Sequence, residues 1–488
     1  MDLESYAPGC FPALEGLYSH LLHLRQVVAR EGEERYRMWQ RYLSRPDFFP
    51  SARNLAHYLA LRKHDLRPWQ LELARFGLSS LGRCESRVLP NLDAVLATLG
   101  RLLGYGGPYP SEAEFFAGEA RLKAATEQIF GPCERPRILV TLPEEASSDP
   151  SLVPRLLHAG ANAFRINCAH GDAHTWARMV AEVRRRVGGH EVPILMDLSG
   201  PRGRIGTVWA AGRLHPGEFF LLGSKLRDES PHPFQATVEP PELLRGVMVG
   251  HRVILDEGKL QGLVEEVLPE AVKVRVTYTP PKGFRLRPEK GLNLPDSDLP
   301  LAALTPKDLR DLDFVAEEAD LIGYSFVRTP EDVEALLKEL EARSPKRLRG
   351  LVLKIETAAG VRNLPEILVA AAGRWPTALM IARGDLAVEL GYQGLAELQE
   401  EILWLAEAAS VPVIWATQVL DRLVKKGTPS RAEVSDAVLA ARSECVMLNK
   451  GPHQEGAIAL LADILGRMQT HQYKKAPRLR PLEVWAQL

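Results

Sequence analysis

Paired cysteines and long hydrophobic runs are both scarce in this sequence. The five cysteines are scattered without a C-x-x-C pair, which argues against a disulfide framework or a zinc site and fits a reducing compartment. No apolar stretch approaches the roughly 20 residues that a membrane helix needs. The first residues, MDLES, are acidic and lack the basic start of a signal peptide. We therefore expect a cytoplasmic protein without a membrane partner.

An excess of charge of either sign is also missing. The formal net charge is −1, with 61 Lys and Arg residues against 62 Asp and Glu residues. Such a balance gives no broad electrostatic reason to expect a nucleic acid as partner. The apolar fraction of 45% is ordinary for a globular protein. The chain is long enough for about three domains.

The N-terminal part, residues 1–134, lacks strand-like runs. Apolar residues recur there at helical spacing, from Leu14 to Val28 and again from Leu55 onward. Pro68 is placed to open a further helix and Gly77 to close it. This pattern predicts an all-helical N-terminal domain. It gives no indication of what the domain binds, and a role in forming a homo-oligomer stays open.

From Arg137 onward, short apolar runs alternate with amphipathic segments. The predicted strands are Ile138–Leu142, Ala163–Asn167, Pro193–Leu198, Asp320–Phe326, Gly350–Glu356, Ala378–Ala382, Pro412–Thr417 and Glu444–Asn449. The predicted helices are Leu152–His158, Thr175–Val187, Pro330–Glu341, Leu395–Ala409, Arg431–Ala441 and Gly456–Met468. Apolar strands separated by crossover helices indicate a parallel sheet covered on both faces. Eight strands are the number in a closed (β/α)₈ TIM barrel, so the fold class is α/β.

One connection, after the third strand, is too long for a loop. Residues 203–290 carry alternating apolar residues, such as Ala271–Val276, which are typical of antiparallel strands. A structureless loop of this length is improbable, so we predict an inserted, β-barrel-like lid domain. The barrel would then comprise residues 135–202 and 291–470, followed by a tail over 471–488. The insertion leaves the barrel at the rim where barrel active sites lie.

Charged side chains stand at the ends of two neighbouring strands. One run ends in Lys354-Ile355-Glu356, and the next ends in Ala382-Arg383-Gly384-Asp385. Period-two spacing places Lys354 and Glu356 on the same face of their strand. Glu356 and Asp385 are hard oxygen donors suited to Mg²⁺ or Mn²⁺. The alternative is a structural salt-bridge network that includes Arg383.

Other strand ends carry groups suited to an anionic ligand. Arg165 and Arg204 offer forked donors for phosphate oxygens, and Lys354 offers a compact charge for an enolate or a phosphoryl group. Gly384 lets backbone amides approach a carboxylate, to which Thr417 can donate its hydroxyl. These residues together predict a metal-assisted phosphoryl or enolate site.

Several motifs resemble those of pyruvate kinase, in the family's order. They are FRINCAHG at 164–171, MDLSGP at 196–201, KGLNLP at 290–295, KIE at 354–356, ARGD at 382–385, ATQ at 416–418 and TPSRAEVSD at 428–436. The resemblance implies Mg²⁺-dependent phosphoryl transfer from phosphoenolpyruvate to ADP, which gives pyruvate and ATP.

The resemblance also implies a role for each matching residue. Lys354 and Arg165 would contact the transferring phosphoryl group, and Glu356 and Asp385 would hold the divalent metal. Thr417, with the Gly384 and Asp385 amides, would bind the substrate carboxylate. The implied nucleotide contacts are Asn167, His170, Asp256 and Lys290.

The monovalent-ion site departs from the family pattern. Family members that need K⁺ coordinate it through the positions of Asn167, Asp197, Ala169 and Leu198, and Ala169 has no hydroxyl. Arg202 stands where K⁺-dependent members have Glu and K⁺-independent members have Lys. A guanidinium at this position can replace the charge of the ion. We therefore expect that K⁺ is not required.

Further departures lie on the nucleotide side. The family's T-I-G-P-A-S is TLPEEAS at 141–147, its lysine after the third strand is Ser199, and its S-G-E-T-A-K-G turn is NKGPHQE at 449–455. These changes favour an alternative, a lyase-type enzyme that acts on pyruvate or phosphoenolpyruvate. A second alternative is a non-catalytic phosphoenolpyruvate-sensing or scaffold protein. Because the chain ends soon after the eighth helix, we expect no C-terminal regulatory domain and no sugar-phosphate control.

Overall fold

The computed structural model describes residues 14–186, 192–225, 233–297 and 301–477. The start of the chain, most of the predicted tail and the predicted helix end at Val187 lie outside these residues. The described helices are too short or too polar to cross a membrane.

Five helices form the N-terminal region, as the leucine periodicity predicts. They are α1 (Leu14–Trp39), α2 (Phe49–Leu61), α3 (Arg67–Arg75), α4 (Val88–Leu102) and α5 (Glu112–Phe130). The apolar positions of α1 face inward, and Leu17, Leu21 and Leu24 are fully buried. Helix α5 begins at Ser111, whose side chain accepts from the Glu114 amide while the Glu114 carboxylate accepts from the Ser111 amide.

The strands that follow form the barrel and the inserted sheet. In chain order they are β1 (Arg137–Thr141), β2 (Ala163–Asn167), β3 (Ile194–Asp197), β4 (Arg204–Ala210), β5 (Phe219–Gly223), β6 (Phe234–Glu239), β7 (Arg252–Leu255), β8 (Leu260–Leu268), β9 (Ala271–Tyr278), β10 (Leu292–Asn293), β11 (Leu321–Tyr324), β12 (Gly350–Ile355), β13 (Thr377–Ala382), β14 (Val413–Ala416), β15 (Cys445–Leu448), β16 (Gln472–Tyr473) and β17 (Ala476–Pro477). The eight parallel strands β1–β3 and β11–β15 close a barrel, in which β1 pairs with β15. The predicted α/β barrel is confirmed.

Helices cover the outside of the barrel. They are α6 (Leu152–Ala159), α7 (Ala173–Arg186), α8 (Pro306–Glu318), α9 (Pro330–Arg343), α10 (Ala358–Arg362), α11 (Leu364–Ala372), α12 (Arg383–Ala408), α13 (Asp421–Lys426), α14 (Arg431–Ala440) and α15 (Gln454–His471). The predicted helix start at Leu395 is wrong, because α12 begins at Arg383, directly after β13, and is interrupted at Gly391, where φ is +77°. The sequence reading also missed α8, although Thr305, Pro306 and Asp308 form a capping sequence at its start.

The long connection after β3 folds as a β-rich unit with its own core. Its seven strands run in the order β10-β7-β8-β9-β5-β6-β4. Buried apolar residues such as Phe220, Val253 and Val274 fill its interior. The insertion thus buries enough apolar surface to form a sheet rather than a loop, as predicted.

The helical region packs against the barrel instead of standing apart from it. Ile129 and Phe130, at the end of α5, are buried among barrel residues such as Leu139 and Leu195. Farther along the contact, Asn54 Nδ2 donates to the carbonyl of Ala408, the last residue of α12, at 2.8 Å. The helical region therefore supports the barrel at the end away from the mouth.

Candidate active site

Lys354 lies at the C-terminal mouth of the barrel, among groups that compensate its charge. Its ammonium donates to Ser325 Oγ at 2.7 Å and lies 3.1 Å from Glu356 Oε1 and 3.4 Å from Asp197 Oδ2. Burial alone would lower the pKa of this lysine, but the carboxylates of Glu356 and Asp197 outweigh burial and raise it. Lys354 is therefore a buried ammonium that stays charged at neutral pH.

Arg165 and Asp197 form a second ion pair beside this lysine. Arg165 Nε and Nη2 donate to Asp197 Oδ2 at 2.8 and 2.7 Å, and Nη1 donates to Thr141 Oγ1 at 3.2 Å. Burial would raise the pKa of Asp197, but Arg165 and Lys354 hold it below its usual value. A Cβ on Gly323 would lie 2.0 Å from Asp197 Oδ1, so this position of β11 requires glycine. Two cations thus share one buried carboxylate.

The predicted metal ligands Glu356 and Asp385 lie close enough for the charge of Asp385 to act on Glu356. Glu356 Oε2 accepts from the Phe326 amide at 2.7 Å. The pKa of Glu356 is raised, mainly by burial and further by the charge of Asp385, although Lys354 opposes both. A cation between these carboxylates would relieve that repulsion, so the pair fits a divalent ion.

The donor set at this position is small. Among the residues that the structure describes, no group of three or more His, Cys, Asp and Glu is placed to hold a metal. Glu356 and Asp385 would therefore supply two oxygen ligands. Mg²⁺ suits such a site because it usually keeps several waters and binds only one or two carboxylates together with substrate oxygens.

Thr417 and Gly384 meet where the predicted carboxylate site would lie. Thr417 adopts a left-handed conformation, with φ of +64°, and its Oγ1 accepts from the Gly384 amide at 2.8 Å. Arg383 fixes the turn, since its Nη2 donates to the Thr417 carbonyl at 2.7 Å and its guanidinium pairs with Asp436. The Gly384 amide is thus occupied by Thr417. The groups that would remain to bind the predicted carboxylate are the Thr417 hydroxyl hydrogen and the first turn of α12, which includes Asp385.

A cleft of about 170 Å³ opens beside Arg165, between β1, β2 and the segment after β15. It brings together Asn167 and His170, two of the predicted nucleotide ligands, with Lys450. Asn167 Oδ1 accepts from the backbone amide of Ala169 at 3.2 Å. The pKa of His170 is lowered, first by burial and then by the charge of Lys450, so this imidazole is neutral at neutral pH.

The other predicted nucleotide ligands lie on the inserted unit. Lys290 Nζ and Lys259 Nζ each donate to Asp256 at 3.0 Å. Burial would raise the pKa of Asp256, but these two lysines lower it. Arg204, a predicted phosphate ligand on β4, pairs with Glu289 at 3.0 Å. Asp256, Lys290 and Arg204 thus stand on the lid, outside the ion-pair cluster at the strand ends.

Arg202, the predicted charge substitute for K⁺, contacts a predicted metal ligand. Its Nη2 donates to Asp385 Oδ1 at 3.0 Å. Asp197 and Asn167, the remnant of the monovalent site, bond instead to Arg165 and to the Ala169 amide. The guanidinium therefore contributes its charge beside the predicted metal ligand.

Sequence reasoning gave no role to two buried polar residues near the mouth. Glu389 accepts from Asn293 Nδ2 at 3.1 Å and has a raised pKa, caused mainly by burial. It follows Asp385 at the i,i+4 spacing of one helix face, which is the signal that would have found it. Gln454 Nε2 donates to the carbonyls of Thr141 at 2.9 Å and Asn449 at 3.1 Å. No sequence signal marks Gln454, because both acceptors are backbone carbonyls, one of them on a distant strand.

Comparison with known proteins relates this geometry to a family. The family described as "Pyruvate kinase, barrel domain" matches residues 133–457. The pyruvate kinase of Methylorubrum extorquens is 35% identical over 322 residues, which cover 64% of each chain. Pyruvate kinase 2 of Synechocystis is 32% identical over 355 residues, which cover 69% of this chain and 57% of that one. The chain thus spans less than two thirds of the length of these relatives.

A solved structure shares the fold. The crystal structure of a pyruvate kinase from Cryptosporidium parvum superposes with a TM-score of 0.62 and covers 71% of this chain and 70% of that one. The sequence identity is 23%.

Proposed function

Because the chain belongs to the pyruvate kinase family, we propose that it transfers the phosphoryl group of phosphoenolpyruvate to ADP, which gives pyruvate and ATP. The observation that carries this proposal is the ion-pair cluster of Lys354, Arg165, Asp197 and Glu356 at the barrel mouth. Phosphoryl transfer depends on positioning and electrostatic stabilisation, which fixed charges provide.

Lys354 and Arg165 are the groups that face the migrating charge. As the bond between the enol oxygen and phosphorus breaks, negative charge develops on the enolate oxygen and on the phosphoryl oxygens. The ammonium of Lys354 stabilises the enolate oxygen, and the guanidinium of Arg165 binds phosphoryl oxygens through its fork. Both cations are held by Asp197 and need little reorganisation during the reaction.

Glu356 and Asp385 would hold Mg²⁺ or Mn²⁺. When bound, such an ion would supply positive charge that stabilises the negative charge developing on the substrate oxygens. Arg202, 3.0 Å from Asp385, places a positive charge beside that carboxylate and supports a reaction that does not require K⁺. The substrate carboxylate binds to the Thr417 hydroxyl and the first turn of α12, where the helix dipole favours an anion.

The nucleotide occupies the cleft beside Arg165 and meets the lid. Asn167 and His170 line this cleft together with Lys450. Lys290 and Asp256 approach the nucleotide phosphates when the inserted unit closes, and Arg204 adds a further cation on the same side. Closure of a lid excludes water from the transfer step.

A coupled assay tests the proposal. Pyruvate formation from phosphoenolpyruvate, ADP and Mg²⁺ is followed with lactate dehydrogenase, with and without K⁺ at constant ionic strength. We expect Mg²⁺-dependent turnover that K⁺ does not stimulate, and Lys354→Met should lower kcat by about 10²-fold or more. Many-fold activation by K⁺ would contradict the role of Arg202.

Lys474→Met is the matched control for Lys354→Met. The side chains of both lysines are 11% exposed, and the carboxylates of Glu444 and Glu407 overcome burial and raise the pKa of Lys474. Lys474 pairs with Glu444, next to the start of β15, at the opposite end of the barrel from the mouth. We expect this variant to keep its turnover when folded. Equal loss in both variants would show that a buried lysine matters only for stability.

One observation favours a second function. Gln454 donates to the carbonyls of Thr141 and Asn449, which begin the two segments that depart most from the family pattern. The departures on the nucleotide side are therefore connected by hydrogen bonds. A lyase-type enzyme of pyruvate, or a sensor of phosphoenolpyruvate, would keep the metal and enolate groups without using ADP. Calorimetric titration separates these functions, since the second one requires that phosphoenolpyruvate binds and ADP does not.

A further inference from the structure

A cavity of about 1100 Å³ lies in the helical region, outside the barrel mouth. Helices α1, α2, α4 and α5 and the segment 106–110 surround it. This helical-region cavity is several times larger than the 170 Å³ cleft beside Arg165. The proposed phosphoryl transfer assigns it no role.

Cations outnumber carboxylates in the lining of this cavity. Four arginines line it, together with two carboxylates, which belong to Asp93 and Glu114. Both carboxylates are engaged, since Asp93 accepts from Arg25 at 2.8 and 3.1 Å and Glu114 accepts from the amide and hydroxyl of Ser111. Two of the four arginines are compensated from outside the lining, Arg53 by Glu33 at 3.0 Å and Arg87 by Glu119, so Arg121 is left without a carboxylate among the described residues.

Arg121, on α5, is the least compensated of these arginines. Its Nε donates to Ser51 Oγ at 3.1 Å, and no carboxylate among the described residues pairs with it. Burial, the cause of its lowered pKa, acts without any opposing negative charge. A partly buried guanidinium without a counter-ion is costly, and an anion in the cavity would supply one.

Arg87 is engaged by groups that do not line the cavity. Its side chain is 7% exposed and pairs with Glu119, and its guanidinium carbon lies 4.6 and 4.9 Å from the ring centres of Phe115 and Phe116. Its Nε is buried and donates no hydrogen bond within the described part of the chain. Arg53 similarly lies 4.6 Å from the ring centre of Tyr36. Stacking therefore fixes both guanidinium groups on neighbouring rings of the helical region.

The lining also includes aromatic rings, among them Tyr18, Phe49 and Tyr109. Guanidinium forks match the oxygens of a phosphate group, and aromatic side chains pack against a flat ring. The uncompensated charge of Arg121 disfavours a free metal cation as ligand. The geometry points to a phosphate monoester that carries a ring, bound in the helical-region cavity with its phosphate near Arg121.

A lining residue of this cavity is hydrogen-bonded to the barrel, so the test uses the full chain rather than the isolated helical region. Asn54 lines the cavity and donates to the carbonyls of Glu85 at 2.7 Å and of Ala408 at 2.8 Å. Its own Oδ1 accepts from the Val88 amide at 3.0 Å.

Calorimetric titration of the full chain with adenosine monophosphate, phenyl phosphate and ribose 5-phosphate tests this inference. We expect at least one of the three probes to bind with a Kd below about 1 mM. Arg121→Gln should weaken that binding about 10-fold or more, because it removes a charge-assisted hydrogen-bond donor. Lys123→Gln is the matched control, since it removes a cation two residues away whose side chain is 79% exposed.

A variant at the barrel mouth separates the two sites. Binding in the cavity should persist in Arg165→Gln, whereas binding at the catalytic mouth should be lost. Arg53→Gln, at a half-exposed side chain, gives a second test if Arg121→Gln does not fold. The inference is wrong if none of the three probes binds, if neither cavity variant weakens binding, or if Arg165→Gln abolishes it.

Discussion

The barrel mouth and the helical-region cavity both collect charged residues, but they compensate them differently. At the mouth, Lys354 and Arg165 share the buried carboxylate of Asp197, and Lys354 also meets Glu356. In the cavity, Arg121 has no carboxylate partner among the described residues. The arrangement at the mouth fits the proposed binding of an anionic substrate together with a metal. The arrangement in the cavity fits the proposed binding of an anion alone.

The two regions also differ in the direction of their pKa shifts. At the mouth, neighbouring carboxylates overcome burial and raise the pKa of Lys354. In the helical region, burial acts together with the charges of Arg53 and Arg25 and lowers the pKa of His57 to about 4. A buried group thus stays charged where partners of opposite sign outweigh burial, and becomes neutral where they do not. The carboxylate of Glu33, whose Oε1 lies 3.5 Å from His57 Nε2, does not offset burial there.

The largest expected effect concerns the contact between the helical region and the barrel. Phe130→Ala removes a ring that is 3% exposed and packed among the apolar residues inside the barrel. We expect a loss of about 3–5 kcal/mol in the free energy of unfolding, measured by urea denaturation. Phe116→Ala is the control, on the same helix at 46% exposure. Apart from the loss of its contact with Arg87, it should lower the free energy of unfolding by less than about 1 kcal/mol. Similar costs for both variants would mean that the ring inside the barrel adds little.

The next effect tests the carboxylates of the mouth. Glu356→Gln should lower kcat by about 10²–10³-fold and weaken Mg²⁺ activation, because it removes one of two proposed metal oxygens. Glu389→Gln is the control, since Glu389 is also buried and carries a raised pKa but accepts from Asn293. The coupled assay with varied Mg²⁺ measures both variants. A metal role for Glu356 is contradicted if its variant keeps the Mg²⁺ dependence of the unchanged protein.

The buried His57 of the helical region should make the stability of the protein depend on pH. The pKa of His57 is about 4 in the folded protein, against 6.5 in an unfolded chain, so the unfolded chain binds more protons between these values. The free energy of unfolding should therefore fall as the pH is lowered, by about 2 kcal/mol between pH 7 and pH 5. His57→Gln should remove this component of the pH dependence, and exposed His23→Gln should not. If the free energy of unfolding depends on pH in the same way in all three proteins, His57 is not the cause.

The smallest expected effect belongs to Arg202. Its contact with Asp385 is half exposed, and ion pairs of this kind contribute about 0–1 kcal/mol. Arg202→Gln should therefore lower kcat/KM a few-fold, and K⁺ should restore part of that loss if the guanidinium stands in for the ion. An unchanged response to K⁺ would remove Arg202 from that role.

The barrel strands and the charged residues at their ends could be predicted from the sequence. The eight strands, with each end to within two residues, follow from apolar runs and the helices between them. The same runs place Lys354, Glu356 and Asp385 at adjoining strand ends, because the ends of parallel strands meet at one mouth. Local patterns of this kind depend on near neighbours in the chain.

Contacts between distant segments could not be predicted in this way. Nothing in the sequence indicates that Arg165 and Lys354 share Asp197, that Arg202 reaches Asp385, or that Gln454 joins Thr141 to Asn449. Each contact depends on rotamers and on the closing of the barrel, which no local spacing encodes.

By itself, the sequence determined the barrel, the inserted β-rich unit, the helical region and the set of groups at the strand ends, since periodicity and motif order are properties of the chain. Only the tertiary structure decided how those charges pair and that four arginines gather around a cavity in the helical region. Those arginines come from four separate helical segments. Their shared surface exists only after the helices have packed.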